Sequence, residues 1–115
     1  MTWSPGRERV RALVDAGELE QVEASVDVAH RLVGDAEHHV SSARAIFASS
    51  DFTGAYQLAY DALRKSAAAL LAVQGLRATS RGGHIAVQDT AIEQFAQTVG
   101  AFRAFGRLRR TKLVV

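Results

Sequence analysis

The chain has 115 residues, no cysteine, one proline, 48% hydrophobic residues and a formal net charge of +2. That length supports one hydrophobic core and is too short for two, and the lack of cysteine excludes disulfides and thiolate metal sites, which suits a reducing, cytoplasmic compartment. The longest apolar run, 67–73, is about a third of a bilayer span, and the N-terminal stretch with Arg7, Glu8, Arg9 and Arg11 is unlike a signal peptide, so no membrane segment is expected.

The pair Ser4-Pro5 is a helix-start signal and predicts a first helix over 5–16, with Val10, Leu13 and Val14 inward and Gly17 as its stop. Next, apolar or small residues fall at Leu19, Val22, Val26, Ala29, Val33, Ala36, Val40, Ala43 and Phe47, an alternation of three and four that only a helix places on one face. This predicts a second helix over 18–48, about 45 Å long, which needs an equally long partner or a bend near Gly34. Ser49, Ser50 and Asp51 break the pattern, and Asp51 suits the N-cap of a third helix over 52–74. It puts Phe52, Ala55, Tyr56, Ala59, Ala62, Leu63, Ala67, Leu70 and Val73 on one side, and its small-residue run over 66–72 lets another helix approach closely. A loop over 75–83 carries Arg77, Thr79, Ser80, Arg81 and the Gly82-Gly83 pair. A fourth helix is expected over 84–97, with Ile85, Val87, Ala91, Ile92 and Phe95 apolar. A fifth follows from 98 onward, with Val99, Phe102, Phe105 and Leu108 inward, unless the two join as one helix kinked around Gly100. No β-type alternation and no internal repeat are visible. The expected fold is all-α, one domain over 1–115 forming a four- to five-helix antiparallel up-and-down bundle.

Charge is unevenly spread. From Asp15 to Asp61 nine carboxylates face Arg31 and Arg44, a balance of −7, whereas from Arg77 onward seven cations face Asp89 and Glu93, a balance of +5. Neighbouring helices of complementary charge explain this most simply. The stripe Arg103, Arg107, Arg109, Arg110 and Lys112 is the candidate for nucleic-acid phosphates, and Arg77, Arg81 and His84 are the candidates around the loop.

Several of these residues also carry a family resemblance. The segment 51–83, DFTGAYQLAYDALRKSAAALLAVQGLRATSRGG, resembles the second half of HEPN domains of the actinobacterial type, small helical bundles found beside minimal nucleotidyltransferases and in toxin–antitoxin systems. Its markers are the aspartate-capped helix with Tyr56, Tyr60 and Asp61, the pair Arg64-Lys65 before an alanine and leucine run, the QGLR turn, and RGGH leading into His84. The final FGRLRRTK, 105–112, looks like the basic helix bearing that family's last motif. The resemblance implies a helical bundle, often paired into dimers. In many members it also implies ribonuclease activity through an arginine, a polar residue and a histidine four to six positions after the arginine.

That chemistry needs a cation on the scissile phosphate and an imidazole to move the 2′-hydroxyl proton. After Arg109 and Arg110 come Thr111, Lys112, Leu113, Val114 and Val115, without a histidine; His84 lies far upstream, and His30, His38 and His39 are on another helix. The set is incomplete, so no catalytic residue is assigned. The expectation is a non-catalytic, partner-binding component. The alternatives are a ribonuclease whose histidine is missing from this chain or supplied by a second protomer, and an RNA- or DNA-binding accessory protein.

Asp35 and His39 have a chelating i, i+4 spacing, but two ligands do not make a metal site, and a solvated polar face is the expected reading. The Gly82-Gly83 pair beside Arg81 lacks the spacing of a phosphate loop and reads as a turn. No metal or cofactor is expected. The partners expected are a second copy, because the long second and third helices leave apolar surface over, a nucleotidyltransferase-type or toxin/antitoxin protein, and RNA on the basic stripe.

Overall fold

The computed structural model describes residues 4–104 and Arg107. Within them lie four α-helices, α1 (Arg7–Asp15), α2 (Val26–Ala48), α3 (Phe52–Ala72) and α4 (Gly83–Phe95). Two short strands, β1 (Leu19–Gln21) and β2 (Leu76–Ala78), and a 3₁₀ turn (Gly100–Ala104) complete the described elements. The helical fold follows the hydrophobic periodicity; the strands do not.

The second helix starts eight residues later than its apolar spacing predicts, because the chain before it is committed elsewhere. Ser25 caps α2 by accepting the Val28 N–H at 3.0 Å, and its own N–H donates to the Ala72 carbonyl at the end of α3. Upstream, β1 pairs antiparallel with β2, with Leu19 opposite Ala78, Glu20 opposite Arg77 and Gln21 opposite Leu76. Leu19 and Val22 therefore continue the helical spacing while Leu19 sits in a strand, 2% exposed. The expected helix over 18–48 and the expected absence of strands are both corrected here.

Smaller shifts have equally local causes. The first helix begins at Arg7 because Gly6, at φ 73°, takes the N-cap place in a left-handed conformation, leaving Ser4 and Pro5 in the preceding turn. Between α2 and α3 the reversal is made by Ser50, at φ 69°, and Asp51, whose carboxylate accepts the Gly54 N–H at 2.9 Å. The fourth helix ends at Phe95, and the segment expected as a fifth helix enters through the 3₁₀ turn, beyond which only Arg107 is described.

The core gathers at one end of the molecule, where Leu13 of α1, Leu19 of β1, Tyr60, Ala67 and Leu71 of α3, Ala86, Val87 and Ala91 of α4, and Phe102 pack together. Gln88 and Tyr60 share a buried hydrogen bond there, the Gln88 amide donating to the Tyr60 hydroxyl at 2.5 Å. A second cluster, Ala29, Ala69 and Ala72 with Val28 and Leu32, seals the start of α2 against the end of α3. Among the described residues the α2–α3 pair is the most extensively packed, and no other element packs on α2 to a comparable extent.

Candidate functional site

A helix that rests on a single neighbour exposes most of its circumference. The seam of α2 against α3 is made by Ala29, Ala36 and Ala43, each buried and seven residues apart, whose small side chains let the two backbones lie close. The larger members of the same apolar spacing fall just outside this seam. Val26, Val33, Val40 and Phe47, also seven apart, are 61, 41, 38 and 60% exposed, and Phe52 at the start of α3 is 59% exposed. The stripe lies on one face, as its spacing predicts, but within it alanine, not valine, is the buried half. Val73, expected on the apolar side of α3, and Val99, expected inward, are also exposed, as is Ile85 of α4.

These side chains form one continuous surface. Val33, Ala36, Val40, Ala59 and Leu63 line a groove of about 540 Å³ between α2 and α3. Val40, Phe47, Phe52, Tyr56 and Ala59 line a second of about 580 Å³ that continues it toward the α2–α3 turn. At that turn the rings of Phe47 and Phe52 meet edge to face, with centroids 5.1 Å apart. Glu37 lines the first groove, and Arg44 lines both. Among the described residues neither has an ion-pair partner. A paired aromatic tip, an aliphatic strip and charges at its margin make a surface able to bind protein.

The sequence-predicted residues are dispersed. Arg77 lies on β2 and is engaged by Glu20 across the ribbon, its Nε and Nη2 donating to one carboxylate oxygen at 2.8 and 2.6 Å. Arg81 is exposed in the turn after β2, and His84 is exposed in the first turn of α4. Arg103 is exposed on the 3₁₀ turn and Arg107 is exposed beyond it, while Arg109, Arg110 and Lys112 lie outside the described residues. The glycine pair is a structural turn. The Gly82 N–H donates to the Thr79 hydroxyl and the Gly83 N–H to the Thr79 carbonyl, so both are already used.

Asp35 and His39 converge, but on a cation of the chain itself. The Lys65 ammonium donates to His39 Nε2 at 2.9 Å and lies 3.7 Å from Asp35 Oδ2, which ties α2 to α3 on the side away from the apolar groove. Among the described residues no group of three or more histidine, aspartate or glutamate side chains is placed to hold a metal ion. None of the described helices is long and apolar enough to cross a membrane.

Periodicity also missed a polar feature. Gln74 and Gln94, both buried, exchange two amide hydrogen bonds at 2.8 Å each, closing the end of α3 onto α4. They form part of a cleft of about 650 Å³ whose α1 wall presents Arg7 and Arg11. One glutamine at a helix end and another twenty residues later give no sequence signal that they will meet. No protein-family model, no curated protein and no solved structure matches this chain.

Proposed function

We propose that this chain is a HEPN-like, non-catalytic partner-binding component that pairs, through the apolar face of α2 and α3, with a second copy of itself or with the other protein of a cytoplasmic nucleotidyltransferase or toxin–antitoxin module. One observation carries the reading: among the described residues α3 is the one element packed extensively on α2, and Val33, Val40, Phe47 and Phe52 stay between 38 and 60% exposed along one continuous strip. Covering what remains exposed of each such side chain is worth about 1 kcal/mol, so a partner gains several kcal/mol that the monomer forgoes.

The test has two arms. Co-expression with the product of the adjacent reading frame should give a complex by light scattering, lost in Val40→Glu while the helical circular dichroism of the variant is unchanged. Incubation of the purified chain with mixed-sequence single-stranded RNA should leave the RNA intact. Cleavage that disappears in Arg103→Ala with Arg107→Ala and in His84→Ala would overturn the reading and make the protein a ribonuclease.

A further inference from the structure

The cleft beside α1 shares no residue with the α2–α3 strip, and its chemistry is different. Arg7, Val10, Arg11 and Val14 follow one another in steps of three, one and three, so a single stripe of α1 forms its wall. Two guanidinium groups one helical turn apart repel, and among the described residues neither has a carboxylate partner; Arg7 instead donates to the Ser4 hydroxyl at 3.4 Å. Asp15, a turn beyond Arg11, also lines the cleft without coming within ion-pair distance of it.

The buried Gln74–Gln94 pair lines the cleft from the side of α3 and α4. Gln74 spends both amide N–H groups, one on Gln94 and one on the Leu70 carbonyl at 3.0 Å. Gln94 spends one on Gln74; its second has no partner among the described residues, although the residue is only 6% exposed. Each amide oxygen accepts one of these bonds and keeps a lone pair. A donor and acceptors are thus held side by side in the cleft, where leaving them unsatisfied is costly. The start of α1 is fixed against the same glutamine, since a methyl group on Gly6 would lie 3.1 Å from Gln94 Cγ.

We propose that this cleft binds a small monocarboxylic acid that carries an amide or lactam group. Its carboxylate takes the guanidinium groups of Arg7 and Arg11, which offer paired N–H donors. Its amide edge completes the glutamine pair, the carbonyl accepting from Gln94 and the N–H donating to a glutamine oxygen. Two arginines against one aspartate leave a single net positive charge along the cleft, which matches a monocarboxylate and not a phosphate dianion. The volume of about 650 Å³ admits such a molecule, with Val10, Val14 and Leu76 as apolar walls for its carbon skeleton.

Three probes separate the parts of the site. Pyroglutamate carries a lactam edge and a carboxylate, pyrrolidinone lacks the carboxylate, and cyclopentanecarboxylate lacks the lactam. In nitrogen–proton correlation spectra at constant ionic strength, pyroglutamate at millimolar concentration should shift the side-chain amide signals of Gln74 and Gln94 along a saturating curve. Each of the other two should bind about tenfold more weakly or worse, because one half of the site is left unpaired. Arg11→Ala removes an exposed side chain, so the unfolding midpoint should hold while affinity for pyroglutamate falls by about tenfold, towards that of pyrrolidinone. Glutamine signals unmoved by pyroglutamate, or shifts that persist in Arg11→Ala, overturn the inference. So does cyclopentanecarboxylate or inorganic phosphate binding as tightly as pyroglutamate, which leaves only a patch of positive charge. None of these results touches the partner-binding reading, whose test is complex formation through Val40.

Discussion

Individual residues carry unequal loads, and the glycines show it most clearly. At Gly82 a methyl group would sit 2.0 Å from the Glu18 carbonyl oxygen, a backbone atom that cannot swing aside. Gly82→Ala should therefore cost about 3 kcal/mol or more, read as a fall in the urea midpoint. Gly34 is the opposite case: it stands in mid-helix on α2, exposed, with nothing within 4 Å of an added methyl. Gly34→Ala should stabilise by about 1 kcal/mol through helix propensity alone, and any destabilisation would contradict the placement of Gly34 in α2. Removal of the Tyr60 hydroxyl takes away an acceptor of the buried Gln88 amide, so Tyr60→Phe should cost about 1 to 3 kcal/mol by thermal or chemical unfolding. The sequence indicated a turn at Gly82-Gly83 but could not indicate which glycine is indispensable. That depends on a carbonyl at Glu18, distant in sequence and brought close only by the ribbon.

Among the elements, α2 separates what stabilises the fold from what the fold leaves available. Ala36→Glu buries a charge in the α2–α3 seam and should unfold the chain, whereas Val40→Glu, four residues on at the rim of the groove, should lower unfolding stability by less than about 1 kcal/mol. Circular dichroism of both variants at low concentration checks this, and a Val40→Glu as unfolded as Ala36→Glu would mean that the strip is core. The apolar spacing identified α2 as a helix correctly from Val26 onward. Spacing alone could not say that the alanines would take the seam and the valines the solvent, because both lie within one broad stripe and the choice is set by how closely α3 approaches. The strands were illegible for a different reason. Each has three residues, and what makes β1 a strand is its pairing with β2, across which Glu20 and Arg77 are 57 positions apart. Local pattern does not register a partner at that distance.

On the scale of the whole molecule, ion pairs join distant segments. Arg77 meets Glu20, linking the basic part of the chain to the acidic part, while Lys65 meets Asp35 and Arg9 meets Asp89. All three pairs are at least partly exposed, and each should contribute no more than about 1 kcal/mol. The helical class was legible from composition and periodicity, and so was the surplus of apolar surface on the long helices. Its location was not, since the core sits at one end and, among the described residues, α3 is the one extensive support of α2. The molecule extends 44 Å along its longest axis against 30 and 27 Å across the others. A long hairpin projecting from a compact end offers its face to a partner at little cost to the core.

The most direct measurement is the thermal unfolding midpoint of wild type and of Val40→Glu across protein concentrations from 1 to about 100 µM, because a species stabilised by association gains stability by mass action and one that folds alone does not. The predicted result is a midpoint that climbs by several degrees for wild type and stays flat for Val40→Glu, the two curves meeting at the lowest concentration. A wild-type midpoint independent of concentration, or a Val40→Glu midpoint already far below wild type at 1 µM, would contradict an apolar face that the fold does not need and a second copy covers.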